Sequence, residues 1–352
     1  MTHPRLALQS AALAPQLPVC DHYCGVESRM RKSLALQAEL SRAYGHCVFD
    51  VTLDCEDGAP VGAEAEHARS IVALIESVFH TGGEAVARLH RVAVRVHAVD
   101  HPAFVDDVEA IVSRVGRHVC HIMLPKVDSR QQLDHAVSVL DAAAQRSGRE
   151  TPLPVHVLIE SPRAVQAVDA IVAHPRVESA SFGLMDFVSA HGGAIPASAM
   201  QVSADHLGSA LDQFGHPLVL RAKLALAASC HAHAKVPSHC VVTEFKDTQR
   251  LLRAARHAAQ ALGYTRMWSI HPDQIRPIVE AFTPAQDEVA QASRIVWAAY
   301  QADWAPLSIQ GHLHDRASYR YYWRVLERAH QTCGLAAGDA CQAFFRDNAA
   351  SF

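Results

Sequence analysis

The chain has 352 residues, of which 49% are apolar and 19% charged, and this balance indicates a globular protein large enough for one α/β barrel or two ordinary domains. A formal charge of −4 and a pI near 6.7 give no reason to expect a nucleic-acid or membrane partner, and no run approaches the roughly 18 apolar residues of a membrane span. Nine scattered cysteines are typical of reduced thiols rather than of a disulfide framework, so we predict a cytoplasmic protein.

Short apolar runs of strand length alternate along the chain with longer, alanine-rich amphipathic stretches. The runs are, in order, "QLPVCDH", "HCVFDVTLDCE", "RVAVRVH", "HIMLPK", "PVHVLIE", "SASFG", "HCVVTEF" and "RMWSIHP". Eight strands that are each followed by a helix predict an α/β fold, the (β/α)8 TIM barrel. A doubly wound open sheet is the alternative, but no glycine-rich phosphate loop follows the first strand.

The alternation loosens near the C-terminus. Beyond about Trp304 the sequence reads "APLSIQGHLHDRASYRYYWRVLERAH" and ends in a short helix-like stretch. We therefore predict a TIM-barrel catalytic domain over residues 1–300 and a C-terminal helical extension over residues 301–352.

Polar residues of the second strand follow the period-two alternation of β-strand side chains. In "VFDVTLDCED" the apolar residues share one face, and the other face carries Asp50, Thr52, Asp54 and Glu56. Because the outer face of a barrel strand meets apolar helices, the acidic face must look into the barrel or its mouth.

Further charged residues fall near the C-terminal ends of later strands, where barrel enzymes place their chemistry. They are Arg95 and His97 in "RVAVRVH", Lys126 in "HIMLPK", Glu160 in "PVHVLIE" and Asp186 just past Gly183. Unpaired buried charges cost several kcal/mol each, so these residues form either a divalent-metal site with an adjoining basic residue or a structural ion-pair network that caps the barrel. The all-oxygen donor set favours Mg²⁺, with Mn²⁺ as its substitute.

The segment "CHAHAKVPSHC", Cys230 to Cys240, is rich in residues that bind zinc. His231 and His233 are two apart on a predicted helix and face different ways. His239 and Cys240 are adjacent at the predicted start of a strand and point to opposite faces. Tetrahedral zinc needs four converging ligands, so we predict buried thiols and exposed imidazoles here rather than a zinc site.

Six motifs in this order and spacing resemble the citrate lyase β-subunit and malyl-CoA lyase family, part of the 2-keto-3-deoxy acid aldolase superfamily. The motifs are "LDCEDGAP…HAR", "VRVH", "LPKV", "LIESPRAV", "SFGLMDF" and "SIHPDQI…FTPAQDEVAQASRIV". The resemblance covers about residues 18–330. It implies a TIM-barrel lyase that uses Mg²⁺, acts on a hydroxyacyl-CoA thioester or related hydroxy acid, and assembles as a homotrimer or a hexamer of trimers.

Carried over position by position, the resemblance implies a role for the charged residues at the strand ends. Glu160 and Asp186 would be the Mg²⁺ ligands. Arg95 would bind the substrate's carboxylate or α-oxygen, since a guanidinium offers two parallel donors to a carboxylate. Glu56 and Asp57 would hold metal-bound waters.

Other residues are assigned on the same basis. Asp315, in "IQGHLHD", matches an aspartate of the family's C-terminal lid, which in malyl-CoA lyases reaches into a neighbouring subunit's site, and it could protonate an enolate. Lys126 is a pocket cation, a structural ion-pair partner or a Schiff-base nucleophile, the last being least compatible with a metal site. Gly183 and Pro272 are predicted to bind substrate, and His271 is either a structural hydrogen-bond partner for the last loop or a catalytic base.

The chain departs from the family at three places. The "VPG" loop that helps to bind coenzyme A reads "VCDHYCG", the lysine before the "AR" pair is replaced near Ala65, and the asparagine after the arginine is His97.

The predicted reaction is Mg²⁺-assisted retro-aldol or retro-Claisen cleavage. Acyl-CoA thioester hydrolysis on the same scaffold and a catalytically silent, carboxylate-binding subunit stay open as alternatives.

Overall fold

The fold is seen in a computed structural model that describes residues 1–8, 14–80, 87–204, 207–208, 211–336 and 338–348. Eight parallel strands form a closed barrel. They are β1 (Cys20–Cys24), β2 (Phe49–Asp54), β3 (Val92–Arg95), β4 (Val119–Leu124), β5 (Val155–Ile159), β6 (Val177–Phe182), β7 (Val236–His239) and β8 (Arg266–Ser269). Each strand pairs with the next, and β8 pairs with β1 to close the cylinder, so the predicted TIM barrel is confirmed.

Helices connect the strands and continue beyond them. They are α1 (Pro4–Ala7), α2 (Glu27–Tyr44), α3 (Glu64–His80), α4 (Phe104–Val115), α5 (Arg130–Arg146), α6 (Pro162–Gln166), α7 (Val168–Val172), α8 (Leu184–Ser189), α9 (Pro217–Ala232), α10 (Thr248–Gln260), α11 (Ile275–Phe282), α12 (Gln286–Gln301) and α13 (Arg316–Gln331), with 3₁₀ turns at Ala197–Met200, Pro272–Gln274 and Ala340–Asn348. No helix within these described ranges is both long and apolar enough to span a membrane.

Local sequence explains where many of these helices begin and which face they bury. The Asp247 side chain accepts a hydrogen bond from the Arg250 amide and so caps the start of α10, while Ser129 caps α5 through the Gln132 amide. A capping side chain satisfies one of the amides that the first helical turn leaves without a partner. The buried side of α10 is made of Leu251 and other apolar residues at helical spacing.

One strand lies earlier in the chain than predicted. The run "HCVVTEF" was assigned to the seventh strand, but β7 is Val236–His239. The sequence did not predict a strand at these residues because they include Pro237, and proline is uncommon in central strands. His239 and Cys240 therefore lie at the C-terminal end of β7, not at its start.

Both faces of the barrel strands are buried. All six residues of β2 are inaccessible to solvent, including Asp50, Thr52 and Asp54, each with 0% exposure. The polar side of this strand lies inside the barrel, as its alternation predicts.

The chain divides into two compact units, Ala14–Val279 and a second unit of Met1–Leu13 with Glu280–Phe352. The second unit contains α12, α13 and an antiparallel hairpin of β9 (Leu307–Ile309) and β10 (His312–His314). Its core is rich in aromatic residues, including Trp304, Tyr319 and Trp323. The domain boundary at residue 300 and a lid role for residues 301–352 stay predictions.

Candidate active site at the barrel mouth

Arg95 is the centre of the polar cluster at the C-terminal ends of the strands. It ends β3 and is 4% exposed. Its Nε and Nη2 each donate a 2.6 Å hydrogen bond to one oxygen of Asp54, the last residue of β2. Burial alone raises the pKa of Asp54, but the adjacent guanidinium outweighs it and lowers the pKa below its ordinary value. Asp54 therefore stays ionised and fixes the plane of the guanidinium.

Glu56 bridges the two cations of the mouth. One of its oxygens lies 3.0 Å from Arg95 Nη1, and the other accepts a short hydrogen bond from Lys126 Nζ. Asp57, whose side chain is 58% exposed, lies 3.6 Å from the same amine. Burial lowers the pKa of Lys126, but the hydrogen bond to Glu56 and the negative charges of Glu56, Asp57 and Asp186 together outweigh this effect and raise it. A protonated amine cannot attack a carbonyl, so the geometry argues against the Schiff-base role of Lys126.

Glu160 is a buried carboxylate to which no cation among the described residues donates a hydrogen bond. It follows β5, is 5% exposed, and accepts a 2.5 Å hydrogen bond from the Lys126 amide. Burial, with the neighbouring charges of Asp186 and Glu56, raises the pKa of Glu160 to about 8. Crowded acidic groups that repel one another are an arrangement that a bound cation would relieve.

Backbone geometry makes room for this carboxylate. A Cβ at Gly183 would lie 2.3 Å from Glu160 Cβ and 2.4 Å from its Oε2, so only glycine fits there. Lys126 has a φ of 53°, in the left-handed region that most residues avoid. This backbone conformation accompanies the hydrogen bond from its amide to Glu160. Gly183 is thus placed beside a predicted metal ligand, although contact with substrate stays a prediction.

The charges at the mouth do not balance. The carboxylates are Asp54, Glu56, Asp57, Glu160 and Asp186, and the cations are Arg95 and Lys126. Five acids against two bases leave a formal excess of three negative charges when all are ionised. Asp186, half-buried in the first turn of α8, completes an oxygen-only donor set with Glu160, and this set fits Mg²⁺.

An aromatic pair adjoins Arg95 and was not assigned from the sequence. The Tyr23 ring centroid lies 5.0 Å from Arg95 Cζ and 5.1 Å from the Trp268 ring. The first contact is within cation–π range. Tyr23 lies in the "VCDHYCG" segment, which differs from the family's "VPG" loop, and no pattern in that segment indicates its contact with Arg95.

A histidine–aspartate pair lies at the end of β3. His97 Nδ1 donates to Asp107 Oδ2 at 2.6 Å, and the His97 amide donates to the same oxygen. The His97 ring also stacks on His101 with a 4.3 Å centroid separation. Asp107 thereby fixes both the ring orientation and the protonated nitrogen of His97.

The other assigned residues lie in separate places. His271 caps the short 3₁₀ turn that begins at Pro272, accepting from the Asp273 amide at 3.2 Å, which is the structural hydrogen-bonding role considered for it. Asp315 lies in the second compact unit, where its exposed side chain caps α13 by accepting from the Ala317 and Ser318 amides. The contribution of Asp315 to a neighbouring site stays a prediction.

A second charged cluster lies deeper in the barrel. Arg266 Nη2 is 3.0 Å from Asp21 Oδ2 and 2.7 Å from Asp50 Oδ2, and Arg91 Nε donates to Asp50 at 2.6 Å. His121 Nε2 lies 3.9 Å from Asp21. Asp21, Asp50 and Arg266 are all fully buried.

This cluster contains two sets of three potential metal ligands within 4.8 Å of one another: Asp21, His121 and His156, and Asp50, Cys120 and His121. Arginine side chains already neutralise both aspartates, and a cation beside them would meet like charge. The arrangement is therefore that of a structural ion-pair network.

The "CHAHAKVPSHC" segment supplies no member of either set. Cys230 and Cys240 are buried free thiols. His231 bonds to the Gly263 carbonyl and His233 to Asp169, so these imidazoles have other partners.

Comparison with known proteins identifies the family to which the chain belongs. Residues 34–272 match the model of the HpcH/HpaI aldolase/citrate lyase family. An L-malyl-CoA/β-methylmalyl-CoA lyase of Cereibacter sphaeroides is 29% identical over 249 residues, which cover 70% of this chain and 75% of that protein.

Solved structures agree with this result. The crystal structure of a citrate lyase from Burkholderia xenovorans shares 45% identity and a TM-score of 0.76, covering 98% of this chain and 99% of that one. The CitE protein of Mycobacterium tuberculosis, solved with magnesium, acetoacetate and coenzyme A, has 21% identity and a TM-score of 0.62, covering 91% of this chain and 98% of that one; it supports the fold.

Proposed function

Since the chain belongs to the HpcH/HpaI aldolase/citrate lyase family, we propose that it is a Mg²⁺-dependent carbon–carbon lyase of a β-hydroxyacyl-CoA or related hydroxy acid. The observation that carries this proposal is the excess of carboxylates around Glu160 and Asp186, within the electrostatic reach of the guanidinium that Asp54 holds in place. A family whose named relatives are lyases supports the reaction class.

Glu160 and Asp186 would hold the Mg²⁺ ion, with Mn²⁺ as a substitute. When bound, the ion would supply Lewis-acid polarisation and a template for the carboxylate and hydroxyl of the substrate. The raised pKa of Glu160 means that ion binding competes with its protonation.

Asp54 holds one edge of the Arg95 guanidinium, because Nε and Nη2 each donate one N–H to its carboxylate. The second N–H of Nη2 and those of Nη1, which lies 3.0 Å from Glu56, form the remaining edge. Arg95 would bind a substrate carboxylate or carbonyl oxygen through this edge, in competition with Glu56.

The remaining steps are two proton transfers, one from the substrate hydroxyl to a base and one from a protonated acid to the leaving carbon. A carboxylate of the Glu56–Asp57 pair would accept the substrate's hydroxyl proton, and the Cα–Cβ bond would then break. Arg95 would neutralise the developing negative charge. Asp315 of a neighbouring subunit, in a trimer or hexamer, would protonate the carbon of the leaving enolate.

A single assay tests the proposal. The protein is incubated with Mg²⁺ and malyl-CoA or citryl-CoA, and 2-oxo acid and free thiol are both measured. The lyase releases 2-oxo acid without thiol. Release of neither product, with tight binding of the ligand, would instead indicate a silent, carboxylate-binding subunit.

Thioester hydrolysis is the second candidate, and the His97–Asp107 pair favours it. An imidazole held at Nδ1 by a carboxylate is the arrangement that activates a nucleophile at Nε2. Hydrolysis would release free thiol without 2-oxo acid, so the same assay separates the two reactions. Replacement of His97 by asparagine would then abolish thiol release.

A further inference from the structure

The barrel mouth has a charged side and an apolar side. Glu56, Arg95 and Lys126, which follow or end β2, β3 and β4, make the charged side. Next to them lies an apolar cluster whose buried part includes Met123 of β4 and Leu158 of β5. We define the apolar wall as the other members of this cluster, which come from β1 and from the C-terminal ends of β6, β7 and β8: Tyr23, Met185, Val241, Trp268 and Ile270.

The apolar wall is buried at its base and open at its edge. Trp268 is 5% exposed and Val241 8%, while Tyr23, Met185 and Ile270 are only partly buried and pack against the buried members. These partly buried residues lie at the C-terminal ends of the strands, the face at which barrel enzymes bind their substrates.

The wall directly adjoins the predicted reacting centre. Tyr23 contacts both Arg95 and Trp268, at 5.0 Å and 5.1 Å respectively, and Met185 precedes Asp186 in the chain. A group bound at Arg95 and Asp186 would therefore lie close to Tyr23 and Met185. The wall's own side chains carry no charge; the indole Nε1 of Trp268 is a buried donor for which the described residues supply no partner.

We infer that the wall binds an apolar substituent on the hydroxyl-bearing carbon of the substrate. The substrate class is then a β-hydroxyacyl-CoA that yields a 2-oxo acid with an alkyl or aryl side chain larger than methyl. This inference rests on the proposed lyase function, because it needs a substrate whose polar end lies at Arg95, Glu160 and Asp186.

The reaction is balanced without an oxidant or reductant. The bond between the hydroxyl-bearing carbon and the thioester α-carbon breaks, and its electron pair stays on the α-carbon. The hydroxyl loses its proton and becomes the carbonyl of the 2-oxo acid. The α-carbon takes up a proton and leaves as acetyl-CoA.

The reverse reaction provides the test, because its substrates differ only in the side chain. The protein is given acetyl-CoA and Mg²⁺ with glyoxylate, pyruvate, 4-methyl-2-oxopentanoate or phenylpyruvate, and the hydroxyacyl-CoA product is measured by mass spectrometry. We expect kcat/KM for 4-methyl-2-oxopentanoate to exceed that for glyoxylate by about tenfold or more. Condensation that is fastest with glyoxylate overturns the inference alone; no product with any acid overturns the proposed function as well.

Two edge variants test the wall itself. Met185→Asn and Ile270→Asn place an amide at partly exposed positions, where misfolding is less of a risk than at Trp268. The ratio of kcat/KM between 4-methyl-2-oxopentanoate and glyoxylate should fall about tenfold, mainly through KM. Leu224→Ala, at a 45% exposed position of α9, should keep the ratio. An unchanged ratio in both asparagine variants overturns the inference.

Discussion

Two sets of charges share one barrel but differ in balance and access. In the interior, Asp21 and Asp50 are matched by Arg91 and Arg266, and three of these four are fully closed to solvent. At the mouth, five carboxylates face two cations, and part of the set reaches solvent. Matched charges that are closed to solvent stabilise a fold, whereas an exposed excess of negative charge needs a partner that the described residues of the mouth do not supply.

The largest effect is expected when one of the excess carboxylates at the mouth is neutralised. Glu160→Gln and Asp186→Asn should each lower lyase kcat/KM by about a thousandfold or more, the loss of several kcal/mol of electrostatic stabilisation. Thermal unfolding should occur at the same or a higher temperature, because neutralising either residue relieves repulsion. Exposed Glu66→Gln on α3 is the control, and full activity in both variants would refute the metal assignment.

The interior should respond in the opposite way. Arg266→Met leaves Asp21 and Asp50 without their shared partner, so the free energy of unfolding should fall by about 3–5 kcal/mol. Urea denaturation measures the loss. The KM of the protein that stays folded should not change. Arg276→Met removes an exposed pair with Glu39 and should cost about 1 kcal/mol or less; equal effects of the two variants would contradict the comparison.

Low pH should lower the free energy of unfolding through the buried histidines of the barrel interior. Burial, partly offset by Asp50, lowers the pKa of His121 to about 3, whereas the unfolded chain binds the proton near the ordinary value of about 6.5. The stability that this difference provides is complete above about pH 6.5 and is lost as pH falls toward 3.

His121→Asn removes this contribution. Between pH 6 and 4 its free energy of unfolding should fall less steeply than the parent's, by about 1.4 kcal/mol per pH unit. Urea titrations at several pH values measure the slope. His80→Asn, on the exposed end of α3, is the control, and parallel slopes for His121→Asn and the parent would exclude the effect.

The smallest effect should come from the aromatic contact at the mouth. Tyr23→Leu keeps an apolar side chain but removes the π face beside Arg95, which is worth about 0.5–1 kcal/mol. Lyase kcat/KM should fall about two- to fivefold. Tyr23→Phe retains the ring and should stay close to the parent, so a loss of similar size in both variants would point to the hydroxyl instead.

The residues of the mouth could be predicted because each is recognisable from its position within or just after a single strand. Alternation alone put Asp50, Thr52 and Asp54 inside the barrel, and they are fully buried. Placing charges at strand ends put Glu56, Arg95 and Lys126 near one another, and they are in direct contact. What the sequence did not show is that Asp54 occupies two nitrogens of Arg95.

The interior cluster could be predicted only in part: alternation turned Asp50 inward, but the partners of Asp50 are ordinary in their own segments. Asp21, His121 and Arg266 come from β1, β4 and β8, and no spacing along the chain connects them. Only closure of the barrel brings the three together. Tyr23 was missed for the same reason, since its contacts to Arg95 and Trp268 depend on the positions of three separate strands.

The glycines that follow β1 and β2 have a consequence for redesign. A Cβ on Gly25 would lie 2.1 Å from the Gly58 carbonyl oxygen, and the Gly58 amide donates a 2.8 Å hydrogen bond to Asp54 Oδ2. The two connections are thus pressed together at main-chain level, with the carboxylate that orients Arg95 beneath them. If the first-strand loop of a relative that binds coenzyme A is grafted onto this chain, the segments after β1 and β2 should be replaced together. A graft of the first segment alone would displace Gly58 and, through Asp54, change the orientation of the Arg95 guanidinium.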